Sequence, residues 1–162
     1  MKIIERDIFS ICGYAVETSA EQNEDALTKL YNDFFSSDKE SILRHLNGCK
    51  KGYYGFMWYT QGHEKYCYLL GVEVAEDNKP PVNSILKTTV KTTYAVACYP
   101  YDKDAIEAWG EFFYTDIPNE GYVVNEELNF YFEYHPDSID GDYELWVPVL
   151  KSNNLSELNS NN

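Results

Sequence analysis

The chain contains an internal repeat, and no other feature of the sequence constrains its fold as strongly. Three segments of the first half recur in the same order in the second: GYAVET (13–18), LYNDFF (30–35) and YLLGVEV (68–74) match TYAVAC (93–98), AWGEFF (108–113) and YELWVPV (143–149). The matched aromatic residues are 80, 78 and 75 positions apart, counted from Tyr14 to Tyr94, from Tyr31 to Trp109 and from Tyr68 to Tyr143. Because the offset stays nearly constant over three segments, we interpret the chain as two copies of one structural unit.

The length of 162 residues is that of one ordinary domain, so each copy is expected to form half of a shared core. We place the first copy at about residues 2–75, a polar connector at 76–84 and the second copy at about residues 85–151, within a single domain over 1–151. The segment 152–162 is rich in Asn and Ser and poor in hydrophobic residues, and we expect it to be disordered.

The composition argues against several classes of function. The formal net charge of −14, from 27 acidic and 13 basic side chains, disfavours direct nucleic-acid binding and suits either solubility or the attraction of cations. The 4 cysteines form no CxxC pair and the 3 histidines are scattered, so we expect no metal and no cofactor. The sequence shows no signal-type apolar stretch and no run as long as a membrane helix, so we expect a cytoplasmic protein without membrane contact.

Each copy is predicted to fold as strand, helix, strand, strand. In the first copy we predict a kinked strand at 2–17, a helix from Glu21 capped by Thr18 or Ser19, a short helix ending at Asn47 and Gly48, and strands at 53–60 and 65–75. In the second copy we predict a strand at about 86–98, a helix at about 102–114 capped by Asp102, and strands at about 128–135 and 142–150. This order indicates an α+β fold built from antiparallel sheets with helices on one side.

Alternation along the last strand separates two faces of the predicted sheet. The odd-numbered residues of 143–149 share the side expected to lie under the helix, whereas Glu144 and Trp146 share the other side. The matching positions of the first copy on that other side are Leu69 and Gly71. A carboxylate beside an indole ring can bind a lipophilic cation, because ring faces attract the cation and the acid supplies the countercharge. The alternative is a glutamate that is merely solvated at the strand surface.

These residues carry a family resemblance. The helix segment AIEAWGEFFYTDIPNEGYVV and the closing DYELWVPVL resemble the GyrI-like effector-binding domain over about residues 2–151, and FSICGYAVETS with YLLGVEV is similar to integron-associated effector-binding proteins. The resemblance implies a duplicated fold whose two halves enclose a groove for small molecules, often lipophilic cations. It also implies that a glutamate of the last strand, here Glu144, is the acidic ligand contact.

Further residues are candidates for lining the groove. Strand parity predicts that Tyr131 shares the face of Trp146, opposite Phe130, Phe132 and Tyr134. Trp109 and its repeat mate Tyr31 are expected at the groove rim, with burial in the core as the alternative. In the strand 53–60 the choice of face stays open, and the glycines Gly55 and Gly71 favour Met57 and Tyr59 as lining residues.

The function that we predict is binding of cationic or aromatic small molecules, with a link to transcription regulation. No helix-turn-helix segment is recognisable before or after the repeats, so we expect any DNA recognition to come from a partner protein. One alternative is a GyrI-like hydrolase that opens strained electrophilic compounds with a glutamate and a tyrosine. Another alternative is an interaction protein that binds a topoisomerase such as gyrase, or a transcription regulator.

Overall fold

The structure, a computed structural model, describes residues 1–152, so the segment predicted to be disordered lies outside the described residues except for Ser152. The strands are β1 (Lys2–Arg6), β2 (Ser10–Thr18), β3 (Tyr53–Gln61), β4 (Lys65–Val74), β5 (Ile85–Thr88), β6 (Thr92–Tyr99), β7 (Tyr122–Val124), β8 (Tyr131–His135) and β9 (Tyr143–Lys151). The helices are α1 (Asn23–Ser36), α2 (Lys39–Arg44), α3 (Ala105–Glu111), which continues as a π-helical turn (Phe112–Asp116), and α4 (Ile117–Asn119), followed by a 3-10 turn (Glu126–Leu128). Within residues 1–152 no helix is long and apolar enough to cross a membrane.

The two copies share one antiparallel sheet with an approximate twofold arrangement. The strand order is β1-β6-β9-β8-β3-β4-β2-β5, and β7 pairs with β9 outside this path. The triplet β3-β4-β2 belongs to the first copy and β8-β9-β6 to the second, and the two triplets meet where β3 pairs with β8. The helices lie on one side of this sheet, which confirms the predicted α+β class.

The two copies exchange their first strands. We predicted one kinked strand at 2–17 and one at about 86–98, and each of these predictions is wrong because the segment divides into two strands. β1 pairs with β6 of the second copy, and β5 pairs with β2 of the first. The segment between β1 and β2 is hydrogen-bonded to the segment between β5 and β6, since the amide of Thr89 donates to the Phe9 carbonyl at 2.9 Å. The exchange ties the copies together at both edges of the sheet.

Each face of the sheet packs a separate core. On the helix side, α1 and α2 cover β2, β3 and β4 through Phe34 and Leu43, while α3 covers β6 and β9 through Ala108 and Phe112. The opposite side carries an aromatic cluster, which contains Phe9, Tyr54, Phe56, Tyr94, Phe132 and Trp146. This second core is closed by Arg6, whose guanidinium lies 3.5 Å from the centroid of the Phe9 ring.

Both predicted N-caps differ from the structure. α1 begins at Asn23 after Gln22, and neither Thr18 nor Ser19 caps it, since Thr18 still belongs to β2. Asp104 caps α3 by accepting a hydrogen bond from the Glu107 amide at 3.1 Å. Asp102 is two residues too early because the chain first closes a turn, in which the Lys103 amide donates to the Pro100 carbonyl at 3.0 Å.

Two glycines allow β2 and β4 to approach each other closely. Gly13 and Gly71 are cross-strand partners, and a Cβ atom built on Gly71 would lie 2.8 Å from the Cα of Gly13. A Cβ on Gly13 would lie 2.7 Å from the Cα of Gly71. These contacts are with backbone atoms, so no side-chain rotation relieves them, and both positions require glycine.

We therefore expect Gly71→Ala to lower the free energy of unfolding by more than about 2 kcal/mol, because the strands must separate to admit the methyl group. Urea denaturation followed by circular dichroism measures the change. Gly110→Ala is the control, since its Cβ would meet no atom within 4 Å in α3, and we expect it to stabilise by about 0.5–1 kcal/mol. A Gly71→Ala protein as stable as wild type would contradict the strand spacing described here.

Candidate functional site

The candidate site lies on the helix side of the sheet, where the two copies meet. Glu133 on β8 is the cross-strand partner of Gly55 on β3. These two residues are 78 positions apart, which is also the separation of Tyr31 and Trp109 in the repeat. The two copies thus place equivalent positions side by side at the approximate twofold axis, and one position holds a glycine while the other holds a glutamate.

The carboxyl group of Glu133 is buried and hydrogen-bonded by tyrosines. The residue is 8% exposed, and its Oε1 accepts hydrogen bonds from the hydroxyls of Tyr68 and, at 3.3 Å, of Tyr31. The two hydroxyls are also hydrogen-bonded to each other. The Nε2 atom of His135 lies 3.7 Å from the same Oε1. Among the described residues this histidine is the one basic group that pairs with Glu133.

The environment keeps both tyrosines protonated. Burial, and secondly the negative charge of Glu133, raise the pKa of Tyr68 well above the ordinary value of 10.0. The same two causes, in the same order, raise the pKa of Tyr31 well above 10.0. Both hydroxyls therefore keep their single protons at neutral pH and are able to donate to the carboxyl group, one of them shared with the neighbouring hydroxyl.

Gly55 supplies the space in which this cluster forms. A Cβ atom at Gly55 would lie 2.6 Å from Oε1 of Glu133 and 2.6 Å from Cζ of Tyr68. Tyr68 comes from β4, and its ring crosses over β3 at Gly55 to reach Glu133 on β8. Any side chain at position 55 would block that path.

Aromatic rings form a wall next to the carboxyl group. Trp109 of α3, Phe113 of the π-helical turn and Tyr131 of β8 pack against one another, with centroid separations of 5.2–5.3 Å. Tyr59 of β3 follows, with its ring 5.9 Å from that of Tyr131. Burial is the main cause that raises the pKa of Tyr131, and a hydrogen bond with Tyr59 adds to it.

A cavity of about 260 Å³ opens on the outer side of this wall. Its lining consists of Tyr59, His63, Phe113, Tyr114, Val124, Asn125, Glu126, Asn129, Phe130 and Tyr131. Glu133 does not line it. Tyr131 and Glu133 are two residues apart on the same face of β8, about 6.5 Å along the strand, so the Tyr131 ring stands between the cavity and the carboxyl group.

The structure divides the predicted site residues between the two faces of the sheet. Trp109, Tyr131, Tyr59, Met57 and Tyr31 lie on the helix side, and Met57 is the cross-strand partner of both Tyr68 and Tyr131. Glu144, Trp146 and Leu69 lie on the other side, and Gly71 lies in the close contact with Gly13. The predicted residues therefore do not form one site, and a ligand role for each remains a prediction.

One correction concerns strand parity. We predicted that Tyr131 shares the face of Trp146, but the register of β8 on β9 pairs Phe132 with Trp146. The two rings stack with centroids 5.5 Å apart, and Tyr131 points to the helix side instead. The prediction failed because the alternation of each strand was known, whereas the register between the strands was not.

Glu144 and Trp146 are engaged with each other on the opposite face. The indole Nε1 of Trp146 donates to the Glu144 carboxylate at 2.8 Å. The Trp146 ring is 9% exposed and packs edge-on against Tyr94 at a centroid separation of 5.3 Å. A ligand that stacked on this indole would have to displace the core of the opposite face.

Sequence reasoning missed Glu133, Tyr68 and His135, and it used Gly55 only as a sign of close approach along the strand 53–60. A usable signal was present, because Glu133 is the one acidic residue within the aromatic strand YFEYH and the repeat aligns it with a glycine. Across residues 1–152, the His, Cys, Asp and Glu side chains form no group of three or more that could hold a metal ion.

Comparison with known proteins relates this architecture to effector-binding proteins. The family model of the integron-associated effector binding protein matches residues 2–149. No sequence among the curated proteins matches the chain significantly.

Three solved structures illustrate the similarity of fold. The structure of SAV2435 bound to tetraphenylphosphonium has a TM-score of 0.72 and 16% identity, over 92% of this chain and 93% of that chain. Integron cassette protein VCH_CASS2 of Vibrio cholerae has a TM-score of 0.66 and 14% identity, over 92% and 95% of the two chains. The C-terminal domain of EcmrR has a TM-score of 0.60 and 12% identity, over 93% and 96%. At these identities the similarity concerns the fold.

The raised pKa of Tyr68 predicts a loss of stability at alkaline pH. The unfolded chain releases this proton near pH 10.0, whereas the folded protein retains it to higher pH. The contribution to stability is therefore complete below about pH 10 and is lost as the pH rises towards the folded pKa. We expect Tyr68→Phe to reduce the slope of unfolding free energy against pH above about pH 10, by at most about 1.4 kcal/mol per pH unit.

Urea denaturation at a series of alkaline pH values measures this slope. The control is Tyr114→Phe, because Tyr114 is 84% exposed, and we expect it to keep the wild-type slope. Equal slopes for wild type and Tyr68→Phe would show that the Tyr68 hydroxyl is not held as described.

Proposed function

The chain belongs to the integron-associated effector-binding family, and on this premise we propose that the groove around Glu133 binds a lipophilic organic cation. The single observation that carries the proposal is the buried Glu133 carboxyl group, which has two tyrosine donors and no lysine or arginine partner within residues 1–152. Removing a carboxylate from water is costly unless a positive charge compensates it. A bound cation supplies that compensation.

The surrounding rings favour a cation that is large and poorly hydrated. Each ring face within about 6 Å of a cation contributes about 0.5–2 kcal/mol, more when water is excluded. Tyr31 and Tyr68 contact Glu133 through their hydroxyls, and Trp109, Tyr131 and Tyr59 extend the aromatic surface outwards. A quaternary phosphonium or ammonium ion with aromatic substituents meets both requirements, since its charge is diffuse and its substituents are apolar.

We propose that the ligand enters through the cavity of about 260 Å³ and displaces the ring wall. Trp109 and Phe113 lie where α3 passes into a π-helical turn, and such turns are irregularities that often occur at functional sites. Movement of Trp109 and Tyr131 would join the cavity to the carboxyl group. The tetraphenylphosphonium bound by SAV2435, a protein of the same fold, supports the choice of ligand class.

In this proposal the chain acts as an effector receptor, and the acidic contact is Glu133 rather than Glu144. The role in transcription regulation is supported by the relatives, one of which, EcmrR, is seen in a complex with DNA. Met57 forms part of the groove floor beside Tyr131.

A second candidate function is hydrolysis of a strained electrophilic compound. It is favoured by the contact of the Glu133 carboxyl group with the Tyr31 and Tyr68 hydroxyls, an arrangement in which the acid can accept a proton from water while a hydroxyl orients it. Incubation with an aryl epoxide and analysis for the diol tests this function, and activity that Glu133→Gln abolishes would establish it.

For the binding function we predict that tetraphenylphosphonium binds the wild-type protein and that Glu133→Gln weakens the affinity by at least about tenfold, because the countercharge is lost. Glu144→Gln is the matched control on the opposite face and is expected to change the affinity by less than about twofold. Isothermal titration calorimetry at neutral pH measures both, and thermal denaturation verifies that the variants fold.

Neutral triphenylphosphine oxide distinguishes the contribution of charge to the affinity from that of aromatic shape. We expect it to bind far more weakly than the phosphonium. The opposite pattern, with Glu144→Gln abolishing binding and Glu133→Gln leaving it intact, would move the site to the other face. Failure of the wild-type protein to bind any lipophilic cation would contradict the proposed function.

A further inference from the structure

We propose that His135 carries the proton that a bound cation displaces. In the empty groove, protonated His135 neutralises Glu133, and when a cation occupies the groove, His135 releases its proton to solvent. The inference rests on the proposed function, and it adds a rule of specificity: the site accepts a ligand whose positive charge replaces that of the imidazolium. Charge is balanced, since one cation enters for each proton that leaves.

The first observation is the position of His135. It lies on β8 two residues after Glu133 and on the same face, with Nε2 3.7 Å from the Glu133 Oε1. Its side chain is 9% exposed, and neither Nδ1 nor Nε2 has a hydrogen-bond partner. A buried imidazole without any partner is rare, because an unsatisfied polar group in the interior costs about 1–3 kcal/mol. A small rotation towards Glu133 would form a charge-assisted hydrogen bond.

The second observation is that the groups around this pair are mostly tyrosines and acids. The titratable and charged side chains on the packed elements are Tyr53 on β3, Tyr66 and Tyr68 on β4, Tyr143 on β9, Tyr31 on α1, Asp140 in the loop before β9, Lys103 and Asp104 before α3, Glu111 in α3, and Glu40 and Arg44 on α2. The cations of this set are Arg44, whose guanidinium lies over the Tyr53 ring at 4.7 Å, and Lys103, which pairs with Glu111 at 2.8 Å. Neither pairs with Glu133. His135 is therefore the group placed to neutralise Glu133.

The chemistry of imidazole makes the exchange reversible under ordinary conditions. Histidine is the side chain that gains and loses its proton between about pH 5 and 8. A protonated His135 and a bound cation would both need the charge of Glu133, and two positive charges this close in a buried site repel each other. Binding of the cation thus favours neutral His135, and acid favours the empty groove.

Titration with tetraphenylphosphonium at about pH 8 and about pH 6 tests the inference. We expect the wild-type affinity to fall by about tenfold between the two pH values, with release of up to one proton per cation at the lower pH. Calorimetry in two buffers of different ionisation enthalpy counts that proton. In His135→Gln we expect binding at about pH 8 to persist and most of the pH dependence and the proton release to disappear.

The matched control is His45→Gln, because His45 is exposed at the end of α2, and it should behave as wild type. A His135→Gln protein with the wild-type pH dependence and proton count would overturn the inference while leaving the proposed function intact. Absence of binding to wild type at both pH values would contradict the proposed function and this inference with it.

A second measurement does not depend on the variant. The ring-proton resonance of His135 in the wild-type protein at about pH 6 should move to its neutral position when tetraphenylphosphonium saturates the groove. A resonance that stays at the imidazolium position in the complex would contradict the exchange.

Discussion

The structure depends on one antiparallel pair of strands, β3 and β8, through which the two copies of the repeat meet. Gly55 and Glu133 are partners in this pair and equivalent positions of the repeat, so the approximate twofold axis passes between them. Cross-strand partners have their Cβ positions about 4.5–5.5 Å apart, and two carboxylates at that distance would repel each other. A glycine opposite a glutamate avoids the repulsion and opens the path by which Tyr68 reaches the carboxyl group. A glutamate at this central position thus requires a residue other than an acid as its partner.

The sheet separates two aromatic systems that serve different purposes. On the face without helices, Tyr94, Phe132 and Trp146 are buried against one another, and Arg6 closes the cluster with an ion pair to Glu73 at 2.8 Å. On the helix side, Tyr131 is partly exposed and lines a cavity, and the partly exposed Trp109 packs against it. Dense packing on one face stabilises the sheet, and in our proposal the rings of the other face yield to a ligand. The abundance of tyrosine reflects both uses, since a tyrosine packs its ring and still donates a hydrogen bond.

Much of the fold was predictable from the sequence, and the reasons are local. Repeated segments identified the duplication, and alternation in 143–149 correctly separated the helix side from the opposite side. The exchange of β1 and β5 was not predictable from strand propensity, because the propensity is continuous along each segment. It does not reveal that the first part of the segment pairs with the other copy of the repeat. Of the residues predicted for the site, Tyr31 contacts Glu133, and Trp109 and Tyr59 pack against Tyr131. Glu133 itself was overlooked because its contacts come from β3, β4 and α1, which are distant in sequence.

The central claim is that the cation site lies on the helix side of the sheet, at Glu133. A crystal of the protein with tetraphenylarsonium, which has the shape of the phosphonium and a strong anomalous scatterer, would locate the charge directly. The account predicts one anomalous peak within about 6 Å of the Trp109 and Tyr131 rings and next to the Glu133 carboxyl group. A peak beside Glu144 and Trp146, with the rings around Glu133 undisturbed, would contradict it.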